Sequence, residues 1–117
     1  MLNEGRAIFQ AGLSVRENSA VMNGGGFINE SGARMVFYDG AEFVANIGTG
    51  SGGAILNRAE LVFRAVNGEG SSSILTFQDN YSGEDECKDI QNESGSEVSG
   101  LHGVDNLCEI GTQEILG

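Results

Sequence analysis

The residues of this chain most able to do chemistry by type and spacing are the glycines Gly48, Gly50, Gly52 and Gly53. They stand in Asn46–Val66, NIGTGSGGAILNRAELVFRAV, where GTGSGG fits G-x-G-x-x-G. Read as strand–loop–helix, the segment lets bare backbone approach a phosphate at a helix N-terminus. Read as loop–strand, it is a β-strand entered through a glycine loop and implies no chemistry. Ile55, Ala59, Val62, Phe63 and Val66 share one helical face, and Glu60 and Arg64 form an i,i+4 pair. Ala59, Leu61, Phe63 and Ala65 also alternate with polar residues, as in a half-buried strand. Periodicity alone does not choose.

The Gly48–Gly53 loop resembles the cofactor loop of S-adenosylmethionine-dependent methyltransferases, which implies a small cofactor-binding protein or enzyme. Asn46 stands where that loop begins with an acid, and no second helical segment follows to build a parallel α/β sheet. Other candidate groups lie further on. Glu84, Asp85, Glu86 and Asp89, with Glu93 and Glu97 beyond, offer the hard oxygen ligands that calcium takes, without an EF-hand loop to order them. The alternative is a solvated acidic loop. His102, Ser99 and Asp105 are near one another in sequence, which is not triad geometry. Cys87 and Cys108, the only cysteines, are either free thiols or a bridge closing a loop of roughly 20 residues, which would contribute about 3 kcal/mol. Their spacing indicates neither a redox motif nor a zinc knuckle.

Composition limits the frame for these groups. The chain has 117 residues, enough for a single domain (1–117) with a modest core. Nineteen glycines and no proline suit many tight turns between short strands better than helices. A net charge of −11 argues against nucleic acid and against an anionic membrane surface. Residues 79–117 carry ten acids against Lys88 alone, and the stretch of about 79–105 reads as a long acidic loop. No signal-like opening or membrane-length apolar run is present in the sequence.

Along the chain, Ala7–Phe9, Leu13–Val15, Ala20–Met22 and Phe27–Ile28 are short edge-like strands. Arg34–Tyr38 and Glu42–Ile47 flank Asp39-Gly40 and are expected to pair as a hairpin. Ser73–Phe77 is a further strand, with short ones expected around Ile90 or Val98 and at Leu107–Ile110 and Glu114–Leu116. No internal repeat at solenoid spacing is expected.

Ala59-Glu60-Leu61-Val62-Phe63-Arg64-Ala65, followed by a glycine turn and Gly70-Ser71-Ser72-Ser73-Ile74, resembles the cohesin domain of cellulosome scaffolds. Asp79–Gly83 stands where that family has a D-x-x-G-type turn, and Asn29–Phe37 resembles its earlier turn and strand. The likeness covers about residues 22–80 and begins mid-domain. It implies an all-β, two-layer antiparallel β-sandwich of seven or so strands, short at its N-terminal side and completed by oligomerisation or strand exchange. It further implies a non-enzymatic binding or assembly module, extracellular, recognising a protein partner or a carbohydrate. Dockerin recognition transfers to no residue, and no catalytic or cofactor residue is assigned.

Overall fold

The computed structural model describes residues 1–10, 13–20, 24–50, 52–65, 72–83, 87–101, 104 and 106–116. Fifteen short strands and no helix occur among them. They fall into four successive groups. The first is β1 (Leu2–Asn3), β2 (Arg6–Phe9), β3 (Leu13–Arg16) and β4 (Ser19–Ala20). The second is β5 (Phe27–Asn29), β6 (Arg34–Tyr38), β7 (Ala41–Val44) and β8 (Ile47–Gly48). The third is β9 (Ile55–Asn57), β10 (Glu60–Arg64), β11 (Ser72–Gln78) and β12 (Tyr81–Ser82), and the last is β13 (Ile90–Asn92), β14 (Glu97–Ser99) and β15 (Thr112–Leu116).

Each strand pairs with the strand four places on. The sheets run β1-β5-β9-β13, β2-β6-β10-β14, β3-β7-β11-β15 and β4-β8-β12, and every pairing is parallel except β11 with β15. Each group is therefore one coil, and four coils stack into a β-solenoid. This corrects the expected two-layer antiparallel sandwich, and with it the expectation of no solenoid repeat. Leu2 pairs with Ile28 and Ile28 with Leu56, a period of 26 and then 28 residues. The period lengthens later. Glu42 pairs with Thr76, 34 residues on, because the connection from β10 to β11 is longer than that from β6 to β7.

The Asp39-Gly40 hairpin does not form. Both residues take positive φ (57° and 76°), as the turn chemistry requires. The turn is a corner of the coil instead, and β6 and β7 pair with neighbouring coils rather than with each other. The reason lies in the core. Phe37 and Phe43 point into one interior from two different sides, with rings edge-on at 5.4 Å and 84°. A flat hairpin would have left one of its faces uncovered.

All six phenylalanines share this interior. Phe9, Phe37 and Phe63 stack at 5.1 and 5.3 Å, and Phe43 stacks on Phe77 at 4.7 Å. Met35 and Leu61 form a parallel column beside them, both fully buried. Leu61 and Phe63 thus anchor the core as the strand reading of residues 54–66 implied. The segment is two strands, with the corner Arg58-Ala59 between them, and Glu60 bonds Arg34 of the preceding coil at 2.8 Å rather than Arg64.

Candidate functional site

Asparagine occupies two corners of each of the first three coils and one of the fourth. Asn3, Asn29, Asn57 and Asn92 each close the first strand of a coil. Their side chains form a continuous chain in which each Nδ2 donates to the next Oδ1: Asn3 to Asn29 (2.9 Å), Asn29 to Asn57 (2.9 Å) and Asn57 to Asn92 (2.8 Å). The second amide hydrogen reaches a backbone carbonyl of the next coil, Arg34, Glu60 or Glu97. An amide carries two donors and an acceptor, which is why asparagine, and not aspartate, fits a repeated buried corner.

The second ladder runs Asn18 to Asn46 (3.0 Å), Asn46 to Asn80 (3.0 Å) and Asn80 to Asp89 (3.2 Å). The residue before each ladder asparagine, namely Glu17, Ala45 and Asp79, has φ of 54°, 56° and 55°. These left-handed residues turn the corner identically in three coils. Asp89 ends the ladder because the chain beyond it offers only donors: Oδ1 accepts from Asn80 and Oδ2 from the Ile110 N–H at 2.6 Å. Burial pushes the Asp89 carboxyl above its ordinary 3.8, opposed by these hydrogen bonds.

The candidate calcium ligands divide on this geometry. Asp89 is buried, 6% exposed, and engaged on both oxygens, while Glu84, Asp85 and Glu86 lie outside the described residues. His102 and Asp105 lie outside them too. Cys87 and Cys108 form a disulfide, the bridged one of the two readings. It ties the end of the third coil to a segment whose Leu107 and Cys108 carbonyls accept from Ile90 and Asp89 N–H groups.

The Gly48–Gly53 loop is a packing device in this fold. Gly53 donates to the Cys87 carbonyl, Gly83 to that of Gly48, and Ser82 Oγ to that of Gly50. A Cβ on Gly53 would lie 2.6 Å from the Tyr81 carbonyl oxygen, so neighbouring coils approach here only over bare backbone. Strands β9 and β10 follow, so the loop does not lead to a helix N-terminus. No family model, no curated protein and no solved structure matches this chain.

What the fold leaves on its outside is a set of columns, one side chain per coil. Arg58 bridges Glu30 and Glu93 of the coils on either side, at 2.6 and 3.2 Å. The hydrogen bond that it donates to Glu30 holds its guanidinium above its ordinary value. On the β3-β7-β11 sheet, Ser14, Glu42 and Thr76 fall in one row. Ser14 Oγ donates to Glu42 Oε1 at 3.3 Å, and Arg16 pairs with the same carboxylate. The row borders a groove of about 280 Å³, which Leu13, Asp39, Gly40, Ala41 and Ile74 complete. Ile74 is 57% exposed beside it. Sequence reading passed over this row because Ser14, Glu42 and Thr76 are unremarkable singly; only the coil period aligns them.

Proposed function

We propose that this chain is a non-enzymatic binding module whose ligand is a carbohydrate, held in the groove along Ser14, Glu42 and Thr76. The row itself carries the reading. Adjacent coils lie about 4.8 Å apart, so hydroxyl, carboxylate and hydroxyl repeat at that pitch along a groove. Such a row offers alternating donors and acceptors to the hydroxyls of an extended sugar chain. Ile74 supplies apolar surface for the faces of the sugar rings. The solenoid suits the task, since its ladders hold the row rigid from within. The Cys87–Cys108 bridge belongs with an oxidising, extracellular setting.

A glycan array followed by calorimetry on the best neutral oligosaccharide tests the reading. Binding should weaken at least tenfold in Glu42→Gln and vanish in Thr76→Arg, with the circular dichroism spectrum unchanged in both and the sugar recovered intact. An array with no signal above background, or binding indifferent to both substitutions, would overturn it.

A further inference from the structure

The two ends of the solenoid are finished differently. At the C-terminal end, Leu101, Val104 and Leu107 pack over the core, Ile110 and Ile115 are buried, and β15 turns back antiparallel on β11. At the N-terminal end, β1, β2, β3 and β4 are each the edge strand of their sheet. Their outward backbone N–H and C=O groups form a template for further pairing.

Burial falls towards that end along the columns of Phe9, Ala7 and Leu13, while Val15 stays buried. Phe37 and Phe63 are 1% and 2% exposed, whereas Phe9 above them is only half-buried. Ala7 and Leu13 are likewise half-buried, whereas Met35, Leu61 and Leu75, further down their columns, are fully buried. The edge is protected only by the shortness of its strands and by the charges of Glu4, Arg6 and Arg16. It has no proline and no lysine, and no strand or loop among the described residues covers it.

We infer that this edge binds a second copy of the chain, coil 1 against coil 1, about a two-fold axis perpendicular to the stack. Such an axis reverses the winding direction, so the coil-1 strands of the two copies meet antiparallel. Three features select this occupant. The contact continues the coil-on-coil interface already present three times within the molecule, so the partner must present a coil edge of the same outline. At the C-terminal end the Leu107 and Cys108 carbonyls already take the Ile90 and Asp89 N–H groups and β15 runs antiparallel, so head-to-tail growth finds no continuous parallel edge and the contact closes as a dimer. Charge points the same way: residues 1–20 carry Glu4 and Glu17 against Arg6 and Arg16, a neutral end on a chain of net charge −11. Two copies can meet there without the repulsion that residues 79–117 would impose. The inference is independent of the carbohydrate groove.

Sedimentation equilibrium over the micromolar range, with hydrogen exchange at each concentration, tests it. The expected mass is twice 12.2 kDa. Amides of residues 6–9 and 13–16 should slow as the dimer forms, while those of β10 should not change. Ala7→Glu puts a carboxylate on the half-buried rim of the contact in each copy and should weaken the dimer roughly 100-fold or more. Hydrogen exchange on the wild type decides the matter should that variant fail to fold. A monomer at every concentration, or a dimer that leaves the coil-1 amides unprotected, would overturn the inference.

Discussion

Asn29 donates from Nδ2 to Oδ1 of Asn57 across 2.9 Å, and both side chains are fully buried. Asn57 in turn donates to Asn92 and to the Glu97 and Ala59 carbonyls, and accepts from the Ala59 N–H. Asn57→Ala therefore strands several groups at once. Each buried orphan costs about 1–3 kcal/mol, and water entering the gap recovers part of that, so the expected loss is about 3 kcal/mol. Asn57→Asp keeps the shape but turns donors into acceptors facing three oxygens, and should destabilise more than alanine. Urea unfolding of both variants checks the order. If aspartate proved the milder change, the amide ladder would not be the reason for asparagine here.

Much of this ladder can be found in the sequence once the period is known. Gly24-Gly25-Gly26-Phe27-Ile28-Asn29 returns as Gly52-Gly53-Ala54-Ile55-Leu56-Asn57, and Val15-Arg16-Glu17-Asn18 as Phe43-Val44-Ala45-Asn46 and Phe77-Gln78-Asp79-Asn80. Strand positions from local β-propensity came out close to the observed ones: Ala7–Phe9, Leu13–Val15, Arg34–Tyr38 and Ser73–Phe77 all fall in strands. Strand partners did not, because a parallel partner lies a whole coil away and local turn chemistry at Asp39-Gly40 says nothing about it. The repeat itself was hidden by its shortness and by the longer β10–β11 connection. That insertion moves the period from 28 to 34 residues within one sheet.

Ala45 is an L-residue in the left-handed region, at φ 56°, donating its N–H to the Gln78 carbonyl at 2.9 Å. That conformation costs roughly 1–2 kcal/mol for a residue with a Cβ, and glycine avoids it while losing about 0.5–1 kcal/mol of chain entropy. Ala45→Gly should thus stabilise by about 0.5 kcal/mol. Ala45→Val, branched at Cβ, should destabilise by at least about 1 kcal/mol. Thermal denaturation of the pair tests the corner, and a glycine variant that melts well below wild type would contradict the assigned strain.

Phe37 lies mid-stack between Phe9 and Phe63, and Phe9 is at the open end. Deleting a ring enclosed on both sides leaves a cavity that the rigid coils cannot close, so Phe37→Ala should cost about 3–5 kcal/mol. Phe9→Ala removes a ring that is half-buried in the monomer, where solvent and side chains can fill the space, and about 1–2 kcal/mol is expected there from the smaller area lost. Chemical denaturation separates the two. Equal losses would mean that coil 1 is as enclosed as coil 2.

Asp89 gives the chain a specific response to acid. Its carboxyl titrates above its ordinary 3.8 in the folded protein, chiefly because burial disfavours the charged form. The folded state therefore holds the proton more tightly than the unfolded chain. The stability this contributes is present below the unfolded value and is lost as pH rises through the folded one. Asp89→Asn removes the titration, and also sets an amide N–H against either the Asn80 amide or the Ile110 N–H, so it should cost about 1–3 kcal/mol at neutral pH. On acidification the wild type should gain stability relative to Asp89→Asn, the repulsion among the other acids being common to both. Urea midpoints for the two proteins from neutral pH to below 4 measure the difference. A constant gap across that range would show that Asp89 has the same proton affinity folded and unfolded, and that its two donors offset its burial in full.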